Sequence, residues 1–218
     1  MLYWILLLAA AFAAGVANAL AGGGTFLTFP ALVFAGVPPI SANATSSAIT
    51  LPGGIASAWV YRQGSTVGKN LFRALIGVSV IGGALGSQLL ILTPSERFAK
   101  LVPYLMLGAA LVFSFSNQLR KFAAEHTPEH PHTAMLIAGQ FAIAIYGGYF
   151  GAGMGVLSIV VFAIAAGLGV QNSAGLRMWC ATGVNTLAVL NFVVRGLVDW
   201  RTAIPMLPDV TPIAGPAL

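Results

Sequence analysis

The chain has 218 residues, 58% of them hydrophobic and only 7% charged, with a mean hydropathy of +0.89 and a net charge of +5. A soluble domain carries about a quarter charged residues, so this chain has too little charge to coat a water-facing globule. Its pI near 9.8 would suggest nucleic acid as the partner of a soluble protein. Here, however, Lys and Arg sit in short segments between apolar runs, the pattern of topology determinants, and no nucleic-acid partner is expected.

Residues 1–61, 74–95, 101–119 and 133–176 contain no charge at all. A bilayer core about 30 Å thick needs roughly 20 apolar residues as a helix. Each run is long enough to span, and two can span about twice. The alternation expected of barrel strands is absent. The fold class is therefore all-α, a polytopic transmembrane helix bundle with the lipid bilayer as its solvent.

In chain order, residues 1–20 predict a first apolar helix. It is interrupted at Ala21-Gly22-Gly23-Gly24-Thr25, where three glycines each lower helix stability by about 1 kcal/mol against alanine. Residues 26–36 form a short apolar piece that ends at Val37-Pro38-Pro39. Ser41, Asn43 and Thr45 offer N-caps for a helix running to about residue 61, and the basic loop 62–73 follows. Residues 74–92 read as a helix whose Gly77, Gly82, Gly83 and Gly86 allow close backbone packing in lipid. Thr93-Pro94-Ser95-Glu96 signals a restart, with Thr93 as N-cap, and that helix should end near Asn117.

Residues 118–132 form a polar linker with Arg120, Lys121, Glu125, Glu129 and three histidines. After it the opening pattern returns. An apolar run, residues 135–150, precedes Gly151-Ala152-Gly153-Met154-Gly155. A short apolar piece to Gly169 follows, and then a helix from the polar cap Gln171-Asn172-Ser173 to about Val194. Aligning Gly24 with Gly155 also aligns Gly36 with Gly167, Ser41 with Asn172 and, within one residue, Gly64 with Gly196. This is an internal repeat, and large repeats in membrane proteins usually mark a transporter. The expected organisation is a first transmembrane repeat over 1–117, the polar linker 118–132, and a second, incomplete repeat over 133–218.

The basic residues place loops 62–73 and 118–132 on the cytoplasmic side of a bacterial inner membrane. The matching second-half loop carries Arg195 and Arg201. The same charge bias in corresponding loops favours two parallel repeats. A cleaved signal peptide is not expected, because no basic segment precedes the first apolar run. Pro205, Pro208, Pro212 and Pro216 are expected to prevent a continuous helix after Trp200, so the C-terminal end reads as truncated or divergent.

The glycine cluster 21–25 continues as Phe26-Leu27-Thr28-Phe29-Pro30-Ala31-Leu32, then Gly36 and Asn43-Ala44-Thr45-Ser46. Together with the later Gly196-Leu197-Val198-Asp199-Trp200, this resembles the sulfite exporter TauE/SafE family over nearly the whole chain. The resemblance implies a secondary transporter of about eight helices for sulfite, sulfonates or related organic acids. Met154 stands where that family often has glycine, and no Thr-Ser pair lies near Leu176.

The glycine clusters are candidates for broken helices whose N-termini offer free N–H groups and a positive dipole end to an anion. The bland reading of the same glycines is close helix packing. Candidate substrate ligands are Gly22, Gly23, Gly24, Thr25, Asn43, Thr45, Ser46, Gly153, Gly155, Arg177 and Asn185. Arg177, the only charge inside an apolar run, is either a counter-charge facing a cavity or a residue snorkelling to the interface. Asn185 lies eight positions on, near the same helical face. His126, His130 and His132 sit in the linker without cysteine partners, so no metal site is expected. Cys180 reads as a packing residue. No intramembrane nucleophile-and-base set and no nucleotide-binding Gly-Lys-Ser/Thr loop occurs, so neither an enzyme nor a cofactor is expected. A transporter of a small anion is the leading reading, and a non-transporting remnant or membrane subunit is the alternative.

Overall fold

The computed structural model describes residues 2–20, 24–60, 67–126, 128 and 131–210. These form helices and no strands: α1 (Leu2–Leu20), α2 (Thr25–Phe34), α3 (Pro39–Val60), α4 (Lys69–Leu92), α5 (Ser95–Ser114), α6 (Ser116–Glu125), α7 (Thr133–Tyr149), α8 (Met154–Ala166), α9 (Val170–Val194) and α10 (Trp200–Val210). By length and composition, α4 and α5 are each apolar enough to cross a bilayer. The large apolar side chains Phe34, Leu92 and Val194 point outward, at least three-quarters exposed. Such a surface is at home in lipid.

Local chemistry explains the ends. Gly36, Gly167 and Gly196 have positive φ and close α2, α8 and α9. Each is followed by an N–H that reaches back six residues or fewer: Val37 to the Leu32 carbonyl, Leu168 to Phe162 and Leu197 to Phe192. These are left-handed glycine caps that satisfy otherwise orphaned carbonyls. Proline tolerates the first helical position, where its missing N–H costs nothing. Accordingly α3 starts at Pro39 rather than at the polar residues behind it, and Ser41, Asn43 and Thr45 lie inside the helix.

Several expected boundaries move. Thr93 is no N-cap, because its hydroxyl donates to the Leu89 carbonyl of the preceding helix. Lys69 and Arg73 belong to the opening of α4 rather than to a loop, and much of the linker is helical through α6. The His126 Nδ1–H lies 2.8 Å from the Phe122 carbonyl, on its own helix. Pro205 and Pro208 lie within α10. That helix is started by Asp199, whose carboxylate accepts from the Arg201 N–H and the Thr202 hydroxyl. The cap offsets part of the cost of the lost proline N–H groups.

Contacts fix the helix directions. Along α4, Ser79 accepts a hydrogen bond from Gln140 at 2.9 Å, Gly82 abuts Ala144, and Gly86 abuts Ile145 and Tyr149. Numbers rise together, so α4 and α7 are parallel. The same holds for α4 and α9, where Gly183 lies by Val80 and Asn191 donates to Ser87. Between α3 and α9 the order reverses, with Gly54 beside Thr182 but Thr45 bonded to the backbone of Asp199. Since α3 and α9 are the corresponding helices in the sequence alignment, their antiparallel course overturns the expectation of parallel repeats. The short helix α2 also runs against α3, from Thr25 near Gly54 to the Thr28–Ser46 bond. The short helix α8 runs against α7, with Gly147 beside Met154 and Gly139 beside Val161.

The packing crosses between halves. Helix α4 lies against α7 and α9, while α10 lies against α1 and α3. A buried relay in which Ser158 donates to Gln140, and Gln140 to Ser79, ties α8, α7 and α4. Interhelical hydrogen bonds of this kind average about 0.6 kcal/mol in membrane proteins. They fix register more than they add stability.

A central cavity between two short helices

Helices α2 and α8 are too short to span a bilayer, and both begin at a glycine cluster. Gly22 and Gly23 lie outside the described residues. At the second cluster, Gly151 and Gly153 both have φ of +81°, a conformation that a side chain would strain. This double left-handed turn takes the chain from the end of α7 into α8 within four residues. The Tyr146 hydroxyl closes it by donating to the Ala152 carbonyl at 2.5 Å. A Cβ added at Gly151 would come within 3.9 Å of the Thr25 hydroxyl. The openings of α2 and α8 are therefore neighbours.

Between them is a cavity of about 30 Å³, lined by Gly24, Thr25, Thr50, Gly54, Gly155, Arg177, Thr182 and Asn185 together with Leu51, Gly151, Met154, Met178 and Ala181. It has room for one or two waters. Five of the sequence-derived candidates thus converge there: Gly24, Thr25, Gly155, Arg177 and Asn185. Arg177 is only 5% exposed. A snorkelling arginine keeps its charged head in water, and this one instead faces the interior. No carboxylate stands among the described lining residues. With the Arg177 guanidinium and the N-terminal, positive dipole ends of α2 and α8 at its wall, the cavity favours negative charge.

The other candidates are placed differently. Gly153 faces α5, where a Cβ would meet Val112 and Ala109. Asn43 donates to the Tyr149 carbonyl at 3.1 Å. The Thr45 hydroxyl accepts from the Asp199 N–H at 2.9 Å, and Ser46 shares a hydrogen bond with Thr28. These three polar residues of α3 hold α7, the α10 turn and α2 in place around the cavity, and they do not line it. Thr50, Gly54, Gly151 and Thr182 are among the lining residues that sequence reasoning missed. Spacing was the available signal: Thr50 and Gly54 are one turn apart, and Thr182 is less than one turn from Asn185.

The family profile of the sulfite exporter TauE/SafE family matches residues 7–214. A probable membrane transporter protein, ORF9, of Sinorhizobium is 28% identical over 200 residues, covering 92% of this chain and 76% of the relative. A probable membrane transporter protein of Haemophilus influenzae is 26% identical, covering 90% and 76%. The probable membrane transporter protein YfcA of Escherichia coli K12 is 24% identical, covering 89% and 71%. No solved structure matches the chain. Helical in its described residues, with large apolar side chains on its surface, and matched almost from end to end, the chain belongs to the sulfite exporter TauE/SafE family of membrane transporters.

Proposed function

We propose that this transporter carries a small anion of the sulfite and organosulfonate class across a bacterial inner membrane, holding it in the central cavity between two inverted halves. The observation that carries the reading is the composition of the cavity wall. Gly24 and Gly155, Thr50 and Ala181, Leu51 and Thr182, and Gly54 and Asn185 all line it, and the members of each pair are 131 residues apart. The starts of α1 and α7, α3 and α9, and α4 and α10 have the same separation: Leu2 and Thr133, Pro39 and Val170, Lys69 and Trp200. A cavity walled by corresponding residues of antiparallel halves sits on the axis that relates them, where transporters with inverted repeats bind substrate and alternate access. Residues 1–117 and 133–218 are the two halves on this reading, with 118–132 between them.

The ligand class follows from charge. One buried guanidinium, the openings of two helices and no carboxylate among the described lining residues favour an anion over a cation or an amine. Arg177 stands 131 residues after Ser46, which does not line the cavity, so the charge is contributed by one half alone. Loops 62–73 and 118–132 face the cytoplasm in this proposal, on their Lys and Arg content. A counterflow assay in proteoliposomes of the 218-residue chain tests the function. Vesicles preloaded with unlabelled sulfite should accumulate labelled sulfite, with sulfoacetate competing and sulfate serving as the comparison anion. No exchange of any of the three contradicts the reading.

A further inference from the structure

One hydroxyl in the cavity wall stands out. The Thr182 hydroxyl is buried and makes no hydrogen bond among the described residues, although helical threonines commonly donate to the carbonyl four residues back, as Thr186 does to Thr182 at 2.7 Å. Buried hydroxyls are normally satisfied, and an orphan at a cavity wall points to something it is shaped to meet. Opposite it is Gly54. A Cβ built there would come within 3.6 Å of the Thr182 Oγ1 and of nothing else within 4 Å. Gly54 is thus not a packing glycine of the kind found on α4, where added carbons collide with backbone. Its missing side chain is space in front of the orphan hydroxyl.

We infer that Gly54 and Thr182 form the selectivity pair of the site, Thr182 donating its hydroxyl to an oxygen of the bound anion and Gly54 leaving the room that sets how large a substituent that anion can carry. The inference rests on the transport reading above and goes further by giving two unassigned residues separate tasks. A single carbon at position 54 removes space in a cavity of about 30 Å³, and an anion with an organic substituent needs that space more than a bare oxyanion does. The hydroxyl serves both equally, because both present sulfur-bound oxygens.

Binding of labelled sulfite to the purified full-length chain, and its displacement by methanesulfonate, tests the pair. Gly54→Ala should weaken methanesulfonate relative to sulfite by roughly tenfold, the usual worth of one carbon in a tight pocket. The substitution keeps a helical backbone, and its new contact is at ordinary van der Waals distance, so the variant should fold. Thr182→Val, of the same shape, should weaken both anions by a similar factor of roughly five to tenfold. Equal changes for both anions in Gly54→Ala overturn the size role. Parent-like binding by Thr182→Val overturns the hydroxyl role. A parent chain that binds neither anion overturns the transport reading and this inference with it, which separates the two failures.

Discussion

Arg177→Gln should lower sulfite affinity by roughly a hundredfold, since a hydrogen bond to a charged group contributes about 1.5–3 kcal/mol and each 1.4 kcal/mol is tenfold. The residue is 5% exposed and lines the cavity. A buried cation is costly in a bilayer, and an anion in the cavity offsets that cost only while the guanidinium is there. Glutamine keeps much of the length and the donor but not the charge. Arg177→Lys should recover part of the affinity, because lysine restores the charge as a point without the planar fork that meets two oxygens at once. The order parent, lysine, glutamine, read as dissociation constants in proteoliposomes normalised to inserted protein, separates charge from geometry. If Arg177→Gln binds as the parent does, the positive field comes from the helix openings alone.

A second large effect is expected on stability, at the seam where α4 meets α7 and α9. A Cβ at Gly86 would overlap the Ile145 carbonyl, one at Gly83 the backbone of Val184, and one at Gly148 the backbone of Gly83. Here backbone touches backbone, and no flexible side chain can move aside. Packing against a van der Waals limit leaves overpacking to be relieved only by separating the helices, which costs about 1–3 kcal/mol for modest insertions. Gly86→Val should therefore exceed that range and leave little monodisperse protein in detergent. Gly86→Ala should lower the unfolding midpoint clearly. Gly77 and Gly108 have nothing within 4 Å of an added Cβ, so Gly77→Ala should be neutral or slightly stabilising, by up to about 1 kcal/mol. Equal midpoints for Gly86→Ala and Gly77→Ala would show that the seam is looser than these contacts require.

How much of this was legible beforehand differs by element. Charge-free runs gave the helices, because the length a bilayer demands is a strong constraint. Gly82, Gly83 and Gly86 on α4 were readable as packing residues for the same reason, while Gly77, on the same helix, meets nothing. Arg177 and Asn185 were findable because charge and amide are rare in such runs. Asn43, Thr45 and Ser46 were equally visible, yet they serve as interhelical ties. Composition shows that a buried polar residue needs a partner, but not whether that partner is a ligand or a neighbouring helix. Gly54 and Thr182 escaped notice since each is ordinary on its own helix and gains meaning only when α3 and α9 face each other. The relative direction of the halves was not legible from loop charge. Arg195 and Arg201 correspond in sequence to the basic loop 62–73, but they follow an α9 that runs against α3, so equal charge bias does not mean the same side. The short helix α8 folds back between the parallel helices α7 and α9 and acts as a return pass despite its length, which composition alone does not show.

The central claim, that an anion sits between the openings of α2 and α8, is tested most directly at Gly24. This residue lines the cavity and has right-handed helical backbone angles, φ −53° and ψ −34°. Valine there is compatible with the backbone angles and acts by filling the approach to the helix N-terminus. Binding of labelled sulfite to Gly24→Val, in membranes that contain it at parental levels, should be abolished, while the parent binds saturably. Parental affinity in Gly24→Val, with the protein inserted and folded, would contradict the account by showing that the anion does not approach the helix openings at all.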